Sequence, residues 1–292
     1  MVGQIIRIHG GFAFVRDPDT GKVWTALRRG KLAEEKILVG DLVEFSPLDE
    51  ERGVLEKVLP RKTELYRPPV ANVEQALLVF AFTEPDPNFK LLDRFLVLSQ
   101  SAKIKPIICF NKLDLASPGL YQEERRAYEE AGFVFLAVSA KTGQGLEELK
   151  RHLSHRVTVL AGPSGVGKSS LLNAIQPGLK LQTAPVSRKT GRGRHTTRLV
   201  ELLPLDIGGL VVDTPGFTSL DLPDIPPASL SAYFPEIARV GAGCRFSDCL
   251  HQAEPGCAVR EAVAEGKIPR FRYQHYLVFL GEILERERRK FS

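Results

Sequence analysis

The run Gly162-Pro163-Ser164-Gly165-Val166-Gly167-Lys168-Ser169 restricts the possible folds of this chain more than any other stretch. It has the spacing G-x-x-x-x-G-K-S, follows the apolar run Val157-Thr158-Val159-Leu160, and precedes a helix-patterned run from Ser170 to Ile175. Strand, glycine-rich turn and helix in that order let backbone N–H groups converge on phosphate oxygens without a Cβ in the way, and the helix start adds a favourable dipole. Lys168 is placed to neutralise the β- and γ-phosphates, Ser169 to ligate Mg²⁺, and Ser170 opens the helix beside them. A purely structural glycine turn is the bland alternative. If the loop binds phosphate, it belongs to a parallel α/β sheet whose ligand lies at the carboxyl ends of the strands.

The surrounding pattern fits such a sheet. Ala76 to Phe80, Pro106 to Phe110, Phe133 to Val138, Val157 to Leu160 and Leu210 to Val212 read as buried parallel strands. Leu91 to Ala102, Tyr121 to Ala131 and Leu146 to Leu153 carry helical spacing between them, giving βαβ units in a doubly wound arrangement. Upstream, Ile6 to Ile8, Phe12 to Val15, Val23 to Leu27 and Asp41 to Phe45 alternate apolar and polar residues. Turn signals separate them at Gly10-Gly11, Asp17 to Gly21 and Arg52-Gly53, so residues 1–66 are expected to form a small β-barrel of the OB-fold type, with an SH3-like barrel as the alternative. Pro68-Pro69 marks a linker, 67–220 the α/β domain, and 221–292 a mostly helical unit with helices at Ala258 to Glu265 and Tyr273 to Arg289.

The phosphate loop does not choose its base; the choice rests on other strand ends. Asn111-Lys112-Leu113-Asp114 follows the strand ending at Phe110. A carboxylate at Asp114 can accept both N1–H and the 2-amino group of guanine, donors that adenine does not present together, so the wrong base leaves a buried group unpaired. Lys112 would lie along the base plane while Asn111 braces the loop. Ser139-Ala140-Lys141, after the next strand, can offer a backbone N–H to the guanine O6.

Two further segments read the triphosphate. Leu210-Val211-Val212 runs into Asp213-Thr214-Pro215-Gly216, a D-x-x-G in which Asp213 can hold Mg²⁺ through water and the Gly216 N–H can contact the γ-phosphate. Arg194-His195-Thr196-Thr197-Arg198 precedes the strand at Leu199 to Leu203, where a switch threonine should ligate Mg²⁺. Thr197 is preferred to Thr196. The position after D-x-x-G is Phe217, which cannot orient water, so hydrolysis needs another polar group. His195 is the candidate, against a solvated loop imidazole or an RNA contact.

Guanine-reading elements thus precede phosphate-reading ones, the reverse of most GTPases and the mark of a circular permutation, which nearby surface termini make tolerable. The α/β domain then ends just after the second switch, so a nucleotide-dependent shift there is expected to pull on the C-terminal unit. In that unit Cys244, Cys249, His251 and Cys257 supply three thiolates and one imidazole, the number and softness for a tetrahedral structural zinc site rather than an open catalytic one. Cys109 stands apart in a buried strand and reads as core.

Barrel, permuted G domain and Cys-His unit together resemble the circularly permuted bacterial GTPases that depend on the small ribosomal subunit, along the whole chain. The resemblance implies a late-acting assembly factor that binds the small subunit and its rRNA, exchanges GTP and GDP, and is stimulated by that subunit. It also supports all four zinc ligands and His195. A nucleotide-gated RNA-binding module with incidental hydrolysis is the alternative; a P-loop kinase is disfavoured by the guanine motif.

Charge agrees with an anionic partner: the formal net charge is +5, and Lys180, Arg188, Lys189, Arg192, Arg194 and Arg198 fall in one stretch without an acidic residue. With 43% hydrophobic and 26% charged residues, disorder and low-complexity architectures are excluded. No apolar run approaches the roughly 18 residues of a membrane span, and Met1-Val2-Gly3-Gln4 opens no signal segment. A cytoplasmic monomer without a membrane partner is expected.

Overall fold

The computed structural model describes residues 1–28, 35–66, 68–179, 200–212 and 220–290. Five strands, β1 (Val2–His9), β2 (Phe12–Arg16), β3 (Val23–Arg28), β4 (Leu42–Pro47) and β5 (Arg52–Val58), close into a barrel in the order β1-β2-β3-β5-β4. Alternate residues face inward, so Ile5, Ala13, Val15, Trp24, Ala26, Val43, Phe45 and Leu55 form its core. Arg52-Gly53 reads as a turn in sequence but opens β5 instead. A Cβ on Gly53 would sit 3.2 Å from both the Phe45 ring and the Ser46 carbonyl, so the small residue lets β4 and β5 close over that ring.

The segment around Pro68-Pro69 is more than a linker. Short strands β6 (Glu64–Tyr66) and β7 (Pro69–Ala71) pair antiparallel, and Val39 of the barrel bridges to Val70. Asp41, fully buried, accepts from Arg61 at 2.7 and 2.9 Å and from the Leu38 N–H at 2.7 Å. Asn72 donates to the Gly40 carbonyl at 3.0 Å and accepts the Lys62 N–H at 2.9 Å. These bonds fasten the barrel to the β6–β7 hairpin.

Strands β8 (Gln75–Ala81), β9 (Lys105–Asn111), β10 (Val134–Ala137), β11 (Val157–Ala161), β12 (Leu202–Pro204) and β13 (Leu210–Val212) form one sheet in the order β10-β9-β8-β11-β13-β12. All are parallel except the edge strand β12. Helices α1 (Phe89–Ser101) and α2 (Gln122–Glu130) cover one face; α3 (Leu146–Leu153) and α4 (Lys168–Ile175) cover the other. The two-residue period of β8 sends Ala76, Leu78 and Phe80 to the first face and Leu77, Val79 and Ala81 to the second. The chain order reverses between β8 and β11, which places a crevice at their carboxyl ends.

A third core joins a 3₁₀ turn (Pro227–Tyr233), α5 (Pro235–Gly241), α6 (Ala258–Ala264) and α7 (Arg270–Lys290) to the outer face of α1 through Val97. Helix α1 is therefore buried on both sides. Arg272 of α7, 1% exposed, donates to Asp93 of α1 and to Glu236 of α5 at 2.6 Å, while Tyr128 of α2 and His275 also bond Asp93 at 2.8 and 2.6 Å. Burial opposes the charge on Arg272, but Asp93 and Glu236 outweigh it and hold the guanidinium protonated, with its pKa above the ordinary value. Among the described residues no helix is long and apolar enough to cross a membrane.

Candidate nucleotide site

The glycine-rich loop leaves β11 at Gly162 and enters α4 at Lys168. Gly162, Gly165 and Gly167 all have positive φ, at 142°, 84° and 89°. At Gly162 the requirement is also steric, because a Cβ there would run into the Val79 carbonyl of β8. Lys168 turns back over this loop, donating from Nζ to the Gly162 and Pro163 carbonyls at 2.8 and 2.6 Å, and burial lowers its pKa. Those carbonyls hold the ammonium over the loop. Ser164, Gly165 and Ser170 are exposed around it, Val166 is buried, and Pro163 and Ser169 are half-buried.

Asn111, the last residue of β9 and 2% exposed, joins this loop to the 139–141 segment. Its Nδ2 donates to the Val166 carbonyl at 3.0 Å, and its Oδ1 accepts the Ala140 N–H at 3.0 Å. The Ala140 N–H is thereby engaged within the site. Lys112, at φ 62°, donates from Nζ to the Glu84 carbonyl beyond β8. Leu113 and Asp114 follow in a 3₁₀ turn (Leu113–Leu115), pinned by the Leu113 N–H on the Val138 carbonyl at 3.0 Å. Asp114 accepts from the Ser139 hydroxyl at 2.6 Å and lies 4.0 Å from the Lys141 ammonium.

Strand ends β9, β10 and β11 therefore gather the residues from 111–114, 139–141 and 162–170 into one crevice. Glu84 and Val79 were not legible as part of it: they act through backbone carbonyls, which any residue supplies. His195, Thr196, Thr197, Asp213, Gly216 and the basic stretch 180–198 lie outside the described residues. Beyond them in the chain, Arg94 of α1 donates to the Leu220 carbonyl at 3.2 Å and to Glu282 of α7 at 2.7 Å, and Arg286 donates to the Leu222 carbonyl at 2.6 Å. Helix α7 thus grips the segment that lies just beyond the D-x-x-G.

A second cluster lies in the C-terminal unit. Ligand atoms of Cys244, Cys249, His251 and Cys257 all fall within 4.8 Å of one another. His251 Nδ1 is 3.5 Å from the sulfurs of Cys244 and Cys257, which are 3.9 Å apart. A tetrahedral ion with metal–sulfur bonds of about 2.3 Å and a metal–nitrogen bond of about 2.0–2.1 Å would require separations of about 3.6 and 3.8 Å. The donor set fits. Burial pushes the Cys249 thiol up to about 12, with Cys257 and Cys244 adding to the rise against the His251 N–H, so thiolates here call for a compensating cation. Burial also lowers the His251 pKa, favouring the neutral imidazole a metal needs.

The loop carrying these donors is fixed by groups with no ligand role. Glu254 accepts the N–H groups of Leu250, Gln252 and Ala253 at 2.7, 2.8 and 3.0 Å. Tyr273 and Tyr276 donate to the His251 and Leu250 carbonyls at 2.6 and 3.0 Å, tying the loop to α7. A lone acidic residue and two helical tyrosines carry no sequence signal of that kind.

Known proteins resemble the chain along its full length. A Moorella thermoacetica protein named small ribosomal subunit biogenesis GTPase RsgA is 51% identical over 290 residues, with 99% of each chain covered. A protein of the same name from Caldanaerobacter subterraneus subsp. tengcongensis is 47% identical over 99% of this chain and 98% of its own. Among solved structures, Thermotoga maritima YjeQ superposes with a TM-score of 0.85 at 41% identity, covering 97% of this chain and 98% of that one. YloQ, described as a circularly permuted GTPase, gives 0.84 at 40%, covering 98% and 95%. The RsgA GTPase family model matches residues 58–223, the stretch that holds every strand of the crevice, and the chain belongs to that family as a circularly permuted GTP hydrolase.

Proposed function

We propose that the chain is a GTP-driven switch that binds the small ribosomal subunit through its rRNA, acts late in the maturation of that subunit, and hydrolyses GTP faster when bound to it. The observation that carries the GTP site is the position of Asn111, whose side-chain amide bonds the phosphate loop and the 139–141 turn together. Support for the subunit comes from the names of full-length relatives at 47–51% identity.

In this reading Asp114 selects guanine, while Lys112 and the 139–141 turn frame the base. The loop from Gly162 to Ser170 takes the phosphates with Lys168. Ser169, Thr197 and Asp213 would hold Mg²⁺, which supplies charge neutralisation on the β- and γ-oxygens when GTP is bound. Thr196 flanks that site, the Gly216 N–H contacts the γ-phosphate, and His195 orients the attacking water. Cys244, Cys249, His251 and Cys257 hold one structural zinc ion, which shapes the C-terminal unit and leaves no open coordination position. Residues 1–66, 67–220 and 221–292 act as the barrel, switch and zinc units of a cytoplasmic monomer.

GTPases of this general type turn over at about 10⁻⁴ to 10⁻² s⁻¹ unaided, and a partner can add about 10³ to 10⁵. Co-sedimentation with purified small subunits, in GDP and in a non-hydrolysable GTP analogue, tests partner and switch together. Tighter association with the analogue is expected, alongside hydrolysis that rises on adding subunits. Nucleotide-dependent binding without a rise in rate would favour a gated RNA-binding module instead.

A further inference from the structure

The barrel also meets the nucleotide-binding sheet at one edge, through strand β1. Its pairing with β2 runs Gln4 to Arg16 and Ile5 to Val15, then skips to Arg7 with Phe14, leaving Ile6 as a bulged residue. A bulge re-aims side chains. Ile5 is buried in the barrel core, while Ile6 leaves it for the core on the sheet's first face, the cluster that holds Leu202 and Leu210. Ile8, Phe14 and Val200 pack against that same cluster.

At the next residue the contact becomes a strand pairing. Arg7 makes an antiparallel bridge with Glu201, their side chains pair at 3.6 Å, and the guanidinium lies 3.9 Å over the Phe14 ring. Glu201 directly precedes β12, whose residues pair with β13, the strand that runs to Asp213. Glu201 also stands a few residues after His195, Thr196 and Thr197 in the chain. The barrel therefore holds the point at which the chain from the first switch enters the sheet.

We propose that Ile6 and Arg7 of the barrel, with Glu201, are positioning residues for GTP hydrolysis: they set where the first-switch segment joins β12 and so how its polar groups meet the γ-phosphate. This rests on reading 195–197 as the first switch. GDP lacks the γ-phosphate, and the loop that grips its remaining phosphates is built on β11 and α4, away from β1. The barrel contact should accordingly weigh on turnover and leave GDP binding alone. An ion pair as exposed as Arg7–Glu201 contributes little to folding, whereas the buried Ile6 contributes more, so the two can be altered separately.

The test uses the full chain and its own GTP hydrolysis. Arg7→Glu and Glu201→Arg should each lower kcat by about three- to tenfold, with GDP affinity held within about twofold. The double exchange R7E/E201R should restore kcat to within about twofold, because it rebuilds the pair with the charges reversed. Ile6→Val should keep the rate and Ile6→Ala lower it, with thermal melts run beside each to confirm folding. Unchanged kcat in both single variants, or a double variant as slow as the singles, overturns the proposal. His195→Ala and Thr197→Ala, measured in parallel, separate the two levels: if they slow hydrolysis while the barrel variants do not, the switch reading stands and the positioning role is lost. If none of the variants changes the rate, both fall.

Discussion

Asn111 Nδ2 reaches the Val166 carbonyl at 3.0 Å, and so the residue that closes β9 also supports the glycine-rich loop. A Cβ on Gly167 would press against this amide at 2.5 Å, which leaves glycine as the residue that admits the contact. The two halves of the nucleotide site are one hydrogen-bonded unit through this side chain. Such preorganisation lowers the ordering that binding would otherwise require.

Asn111→Ala should therefore weaken base and phosphate recognition together. It leaves the Val166 carbonyl and the Ala140 N–H without their partner, each a loss of about 1–3 kcal/mol where the group stays dry. Calorimetry with GTP and with GDP should show both affinities falling by tenfold or more, on the order of 1.4 kcal/mol per decade. A loss confined to one ligand would mean that the halves act separately.

Gly162→Ala should be among the most damaging small changes in the chain. Its φ of 142° lies in the glycine region, and the added methyl would drive into the Val79 carbonyl. Backbone strain of this kind costs about 1–3 kcal/mol before any clash is relieved. Expected results are loss of measurable GTP binding and a lower melting temperature; retention of both would show that β8 and β11 can separate locally.

Removal of the metal should loosen the C-terminal unit and leave the crevice intact. A strong chelator, or Cys257→Ser, should lower the melting temperature of the helical part, while GDP affinity changes by less than about threefold. The third core also contains Phe234, Ile237, Tyr276 and Phe279, none of them a metal donor, so partial loss of structure is expected. One zinc ion released per chain, measured with a chromophoric chelator, is the accompanying stoichiometry.

Arg272→Ala should destabilise the whole fold by about 3–5 kcal/mol, because it strands Asp93 and Glu236 as buried carboxylates without their shared cation. Asp93→Ala should cost less, since Arg272 keeps Glu236 at 2.6 Å. Chemical denaturation of the two variants checks the order. An equal or reversed ranking would show that water reaches the site once the arginine is gone.

Local chemistry made the glycine-rich loop, the polar strand end at Asn111 and the Cys-His cluster legible in the residues alone: a glycine run, an Asn-Lys-x-Asp at a strand end, and thiols crowded around one histidine need no distant partner to be recognised. The same holds for the alternation of the barrel strands and for β8 to β11, whose period and apolar length follow from which faces are buried. How these parts are joined was set by long-range packing. The span from Asn111 to Val166, the aim of Ile6 into a second core, the β6–β7 pairing at Pro68-Pro69 and the burial of Arg272 between α1 and α5 all depend on residues far apart in the chain. Periodicity and motif spacing encode what a segment can do with its neighbours in sequence; pairing across loops is settled by the packing that brings those segments together.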